Sequence, residues 1–194
     1  MRTSVKYFSD QLNELTLAQV QLVQEYSKEI FENETLVKIE SYKNSNLINT
    51  EYFCNESEMN EILIDDPNAA LTIKTEMNGY VVLNCLCHQN GVLVRKDIFV
   101  FDLQDKEICW MPYVLDMNEP QYNTCEKYIY DENGEKLYQF EYLEDGTCFY
   151  VYKFDYSRSG FSAYLIDIDP DITFSWTGNE YYQFAYPLIP SSST

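Results

Sequence analysis

Apolar residues recur through the first part of the chain with the period of a helix. Leu15, Leu22, Val23, Tyr26 and Ile30 fall on one stripe, and Leu17, Val20 and Phe31 widen it. Thr16 as N-cap with Gln19 three positions on makes a capping box, and Leu15 and Val20 sit where a hydrophobic staple packs. This pattern predicts a helix over 16–32, ended by Asn33 in the left-handed conformation and packed on a sheet. A shorter helix is predicted over 56–64. Asn55 and Glu58 form its cap pair, Met59, Ile62 and Leu63 its apolar face, and Asp65-Asp66-Pro67 its stop.

Elsewhere the period is two. Strands are predicted over 36–42 and 47–53 around Lys43-Asn44-Ser45-Asn46, and from Ala70 onward turn signals divide a series of them. Asn78-Gly79 separates 71–77 from 80–87, and Asn90-Gly91 separates that strand from 92–103. The run 107–115 contains Pro112, which implies an edge or a bulge. Asn133-Gly134 and Asp145-Gly146 delimit 126–131, 136–143 and 147–156, and 161–168, 172–176 and 181–186 close the series.

Turns at this spacing imply antiparallel neighbours, because parallel strands need crossovers of a dozen or more residues. The expected fold is α+β: a curved, mostly antiparallel sheet or meander packed by the N-terminal helix and the short second one. One domain spans 1–194, with its β-rich part at 70–186 and a frayed tail at 187–194. The alternative is a boundary near Asn118-Glu119-Pro120, which no low-complexity linker supports.

Composition sharpens this picture. Eighteen Tyr, eleven Phe and two Trp suit half-buried strands. Thirty-two acidic residues against thirteen basic ones leave a formal charge of −19, beyond the magnitude of about 2–8 that solubility asks of a small domain. Residues 1–55 hold only eight of the acids, so the excess lies in the β-rich part. Such a field repels phosphate and anionic lipid and attracts basic surfaces, so neither direct nucleic-acid binding nor membrane binding is expected. The start of the chain has no apolar signal region, and the most apolar stretch, 80–87, is too short to span a bilayer. The expectation is a cytoplasmic protein whose six cysteines are free thiols.

Chemical motifs are sparse. Cys85-Leu86-Cys87-His88 offers zinc-type ligands, but His88 points away from the two thiols on a strand and no second ligand pair follows. Asp167-Ile168-Asp169-Pro170-Asp171 opens like a calcium loop, yet Ile172 and Gly178 stand where glycine and glutamate are required. No metal or cofactor is expected. With one histidine and no phosphate-cradling glycine loop, no catalytic motif emerges. A carboxylate pair of glycosidase type stays open, since such pairs are recognised by separation in space. Tyr138, Phe140 and Tyr142 share one strand face, and Tyr150, Tyr152, Phe154 and Tyr156 share another. Each set is either a binding face or cross-strand packing, with packing favoured.

The stretch from Tyr128-Ile129-Tyr130-Asp131-Glu132-Asn133-Gly134 to Tyr142-Leu143-Glu144-Asp145-Gly146-Thr147 echoes itself: aromatic, acidic, glycine, strand. It resembles the tyrosine–aspartate hairpin repeats of large bacterial toxin shells and short antitoxin-type aromatic–glycine hairpins. In overall character the chain resembles the cytoplasmic immunity proteins of bacterial contact-dependent and polymorphic toxin systems, which are small, acidic and without catalysis. That resemblance implies an inhibitor of a basic toxin domain, with a nuclease as one such target. No family residue carries over. The candidate contacts come from this chain's own acidic turns: Asp131, Glu132 and Glu135, then Glu144 and Asp145, then Asp167, Asp169 and Asp171. Tyr130 and Tyr142 are the candidate aromatic anchors. The alternatives are a nucleic-acid mimic, with carboxylates spaced like phosphates, and a β-rich carbohydrate-binding module or hydrolase. The oligomeric state stays open.

Overall fold

A computed structural model describes residues 2–116, 118–156, 164–170 and 173–191. The fold is mostly β, a large mixed sheet, with two short α-helices among the described residues. In chain order the elements are β1 (Thr3–Ser9), β2 (Glu14–Leu15), α1 (Leu17–Val20), β3 (Glu25–Glu32), β4 (Thr35–Lys43) and β5 (Asn46–Phe53). Then come α2 (Met59–Asp65), β6 (Ala70–Met77), β7 (Tyr80–Gln89), β8 (Val92–Phe101), β9 (Glu107–Val114) and β10 (Glu119–Pro120). The series ends with β11 (Glu126–Tyr130), β12 (Lys136–Tyr142), β13 (Cys148–Asp155) and β14 (Tyr164–Ile168). Among the described residues no helix is long and apolar enough to cross a membrane.

Two compact units divide the chain. The first comprises Met1–Lys74 with Asn84–Arg95, the second Thr75–Leu83 with Lys96–Thr194. In the first unit the strand order runs β2-β1-β3-β4-β5-β6, antiparallel except for the parallel pair β5–β6. The stretch from Cys54 to Ala69, which contains α2, is the crossover that such a pair requires. The sheet is thus mostly antiparallel, and this one parallel pair makes it mixed.

The predicted helix over 16–32 is also corrected. Its capping box forms as expected: the Thr16 N–H donates to Gln19 Oε1 at 2.9 Å, and the Gln19 N–H donates to Thr16 Oγ1 at 3.4 Å. The helix stops after a single turn, buries no residue, and gives way to β3. Tyr26 and Ile30 are four apart, a spacing that satisfies one face of a helix and one face of a strand equally. Pairing decides between them. β3 bonds to β1 on one side and β4 on the other, and Tyr26 stacks on Tyr42 with centroids 4.8 Å apart. On the same face Glu40 binds Lys28 at 2.8 Å, Lys38 at 2.9 Å and the Tyr42 hydroxyl at 2.9 Å. Burial alone would raise the Glu40 pKa, but these three donors hold it at about 2.

α2 starts later than predicted. Glu58 reaches back to the Asn55 N–H at 2.7 Å, so half of the expected capping box is present, and the helix ends at Asp65 as the Asp65-Asp66-Pro67 stop requires.

In the second unit the order β8-β9-β11-β12-β13-β14 is antiparallel throughout, with β10 added to β9. Pro112 lies inside β9 rather than on an edge. Its carbonyl accepts from the Gln121 N–H at 2.8 Å, on the side where the ladder changes from β11 to β10, so the missing N–H falls at a break in pairing. Val100, Met111, Phe140, Tyr142 and Val151 are fully buried at the centre of the core.

One face of this sheet is sealed by residues 173–189, where strands and then a frayed tail are expected. Ile172 lies outside the described residues, 173–176 form no strand, and Glu180–Tyr182 form a 3-10 turn. Phe184 makes one isolated bridge to Thr147. Phe174 meets Phe140 edge-on at 5.4 Å, and Leu188 and Ile189 pack on the core as well. Phe174, Trp176 and Tyr182 serve as a plug rather than a ladder, while Phe184 and Tyr186 stay exposed.

Candidate partner-binding face

The acidic turns take their shape from a five-residue hairpin geometry. In 131–135 the Asp131 N–H bonds to the Glu135 carbonyl, the Gly134 N–H bonds back to the Asp131 carbonyl, and Gly134 has φ +80°. The turn at 143–147 repeats this, so the sequence echo is a geometric one. Two further copies, at 102–106 and 9–13, carry Asp105 and Leu12 where the others have glycine.

The Asp131 carboxylate is occupied by its own turn: Oδ1 accepts from the N–H groups of Asn133 and Glu135, each at 2.9 Å. The Glu135 N–H is the main reason its pKa lies below the usual carboxylate range. Asp145 likewise accepts from the Thr147 N–H at 2.9 Å. Glu132, Glu135 and Glu144 are exposed. The two tips sit at opposite ends of seven-residue β12, roughly 23 Å apart. The predicted contacts therefore form separate groups instead of one patch.

Of the two predicted anchors Tyr142 is closed to contact, and Tyr130 is half-buried with its hydroxyl engaged. Tyr142 is fully buried, its hydroxyl donating to the Tyr182 carbonyl at 3.1 Å, and burial carries its pKa well above the ordinary phenol value. The Tyr130 hydroxyl donates to the Glu107 carbonyl at 2.8 Å, and burial followed by the Glu107 charge pushes it up to about 12. Asp167 lies on β14 opposite Tyr152, and Asp169 is exposed just beyond that strand. Asp171 lies outside the described residues.

What the strands do bring together is a face not anticipated from sequence. Side chains alternate, so Lys127, Phe140 and Val151 point to the sealed side while their neighbours point to the other. Register then aligns two rows. Trp110, Glu126, Glu141 and Tyr150 are successive cross-strand neighbours, and beside them run Tyr128, Gln139, Tyr152 and Asp167.

Glu126 and Glu141 are directly opposite one another, which places their Cβ atoms about 4.5–5.5 Å apart. Their environments differ. Glu126 Oε2 accepts from the Tyr128 hydroxyl, while Glu141 Oε1 accepts from Gln139 at 3.3 Å. Burial, then the Glu126 and Asp167 charges, raise the Glu141 pKa. Lys136 sits with its Nζ 3.4 Å from the centroid of the Tyr128 ring. Among the described residues no ion pair reaches Glu126 or Glu141. Tyr150 stacks on Tyr152 at 5.7 Å and is 42% exposed. Trp110 is fixed by its indole N–H, which donates to the buried Asp97 at 3.0 Å.

The aromatic sets therefore separate. Tyr138, Phe140 and Tyr142 belong to the core, whereas Tyr150 and Tyr152 lie on the acidic face. Glu126 and Glu141 were visible only as polar alternates within aromatic strands; their opposition depends on register, which no local motif encodes.

Lys127 ties the sealed side together. Its side chain is fully buried, and Nζ donates to the carbonyls of Tyr181, Phe184 and Pro187 at 3.0, 2.9 and 2.8 Å. The Tyr181 ring lies 3.6 Å from the ammonium. Burial lowers the Lys127 pKa to about 8, against the opposing influence of Cys109, Cys125 and Cys148.

Comparison with known proteins finds no matching family model, no similar curated protein and no similar solved structure.

Proposed function

We propose that the protein is a cytoplasmic inhibitor of immunity type, which holds a basic protein domain on the acidic–aromatic face of its second unit. The observation that supports this reading is the Glu126–Glu141 opposition, half-buried and without an ion-paired lysine or arginine among the described residues. Like charges directly opposite destabilise a sheet, and a cation from a partner would relieve that repulsion. Tyr150 and Tyr152 add aromatic surface of the kind that anchors interfaces. The charge of −19 speeds encounter with a basic surface and disfavours acidic competitors. Glu132 and Glu135 at one end of β12, and Glu144 at the other, extend the field around this centre.

The test is capture of a partner at low salt, followed by inhibition of that purified partner at equimolar ratio. Glu126→Gln with Glu141→Gln is expected to weaken the complex by about 2 kcal/mol or more, by calorimetry. Unchanged affinity in a folded double variant rejects the face. A second reading rests on the same residues, because two facing carboxylates, one with its pKa raised by burial, beside stacked tyrosines also suit a sugar. Oligosaccharide binding that survives high salt would favour it over the inhibitor.

A further inference from the structure

The first unit holds a groove of about 460 Å³ between α2 and strands β3–β5, within the volume range of small-molecule sites. Its floor is apolar: Ile30, Val37, Phe53 and Ile62. Its wall is acidic. Glu58, Glu61 and Asp65 recur with Ile62 at positions i, i+3, i+7 and i+4, so one face of α2 lines the groove, and Glu32 stands on the strand side.

The one lysine of the lining is already engaged, with Lys38 Nζ 2.9 Å from Glu40 and 4.9 Å from the Tyr52 ring centroid. Glu58 is held in place by the Asn55 N–H and side-chain amide, at 2.7 and 3.2 Å. The Cys54 thiol senses this wall, since burial and then the Glu58 charge raise its pKa.

Charge and shape together select the occupant. The carboxylates do not converge on a point: no group of three acids, cysteines or histidines among the described residues could hold a metal ion. Strung along a helix, Glu58, Glu61 and Asp65 advance by steps of about 4.5 and 6 Å, roughly the spans of three- and four-carbon diammonium units. An extended peptide has no backbone to pair with, because β3, β4 and β5 are each bonded to strands on both sides. We propose that this groove binds a linear aliphatic polyamine, with its methylenes on the Ile30–Val37–Phe53–Ile62 floor and its ammonium groups on Glu58, Glu61 and Asp65, with Glu32 on the strand side. The inference is independent of the inhibitor reading, which concerns the other unit.

The experiment is calorimetric titration of the full chain with spermidine at physiological salt, with magnesium chloride as the control for simple charge. The expected result is saturable one-to-one binding that equimolar magnesium leaves in place. Glu61→Gln with Asp65→Asn, both exposed and outside the core, should weaken it by at least about tenfold. A floor variant, Ile62→Ser, should weaken spermidine while leaving any magnesium response unchanged. Non-saturating heats, displacement by equimolar magnesium, or wild-type affinity in the folded acidic double variant would each overturn the proposal.

Discussion

Lys127 shows how one residue can hold a segment that lies far away in sequence. Its three carbonyl acceptors are 54 to 60 residues distant, and nothing beside Lys127 in the chain announces them. Lys127→Met keeps the apolar stem but orphans three buried carbonyls, and is expected to lower stability by about 2–3 kcal/mol in urea unfolding at pH 7. The pH dependence has a definite sign. The folded-state pKa is depressed to about 8, so between there and the ordinary lysine value near 10.4 the unfolded chain binds more protons. This group therefore adds stability as pH rises through that window, and the wild-type advantage over Lys127→Met should widen between pH 8 and 10. A difference that stays constant would show that the ammonium is not desolvated. Glu126 and Glu141 teach the same lesson at the surface: their identities were readable, but their opposition was not, because it exists only once β11 and β12 are in register.

At the scale of elements, turn chemistry was the most legible part of the chain. Asn44-Ser45, Asn78-Gly79 and Asn90-Gly91 each close a hairpin with two residues at positive φ, as their sequences indicate. Asn33 exposes the ambiguity in that code. An asparagine at φ +48° ends a helix or opens a hairpin equally well, and here it opens the β3–β4 hairpin. The five-residue turn was recognisable where glycine marked it, at 134 and 146, and not at 9–13, where Leu12 takes the left-handed position at φ +59°. Leu12 is 82% exposed and contributes little packing. Leu12→Gly is therefore expected to stabilise the β1–β2 hairpin by about 0.5–1 kcal/mol, read as a rise in the urea midpoint at unchanged m-value. A fall in the midpoint would show that the leucine makes a contact worth more than the strain it costs. The C-terminal segment misled for a related reason, since alternating aromatics look alike whether they line a strand or plug a core.

For the whole molecule, the charge has opposed consequences for stability and for binding. A chain at −19 repels itself when compact, and screening weakens that repulsion. Raising sodium chloride from about 0.01 to 0.3 M, where the Debye length falls from about 30 Å to below 10 Å, should raise the thermal midpoint. The same change should slow association with a basic partner. A midpoint that falls with salt would mean that ion pairs such as those of Glu40 outweigh the general repulsion.

The order in which the second unit is synthesised gives the sealing segment one more consequence. β12 and β13 leave the ribosome before the residues that cover Phe140, because Phe174, Trp176 and Tyr182 lie 19 to 27 positions beyond the end of β13 at Asp155. At about 5–20 residues per second, that gap lasts roughly 1–5 seconds. Throughout it the nascent chain displays an aromatic sheet face with no cover, and Lys127 has no carbonyls to bind. The unit completes its core only as the last part of the described chain arrives, so this interval is when the newborn protein most needs a chaperone's shelter.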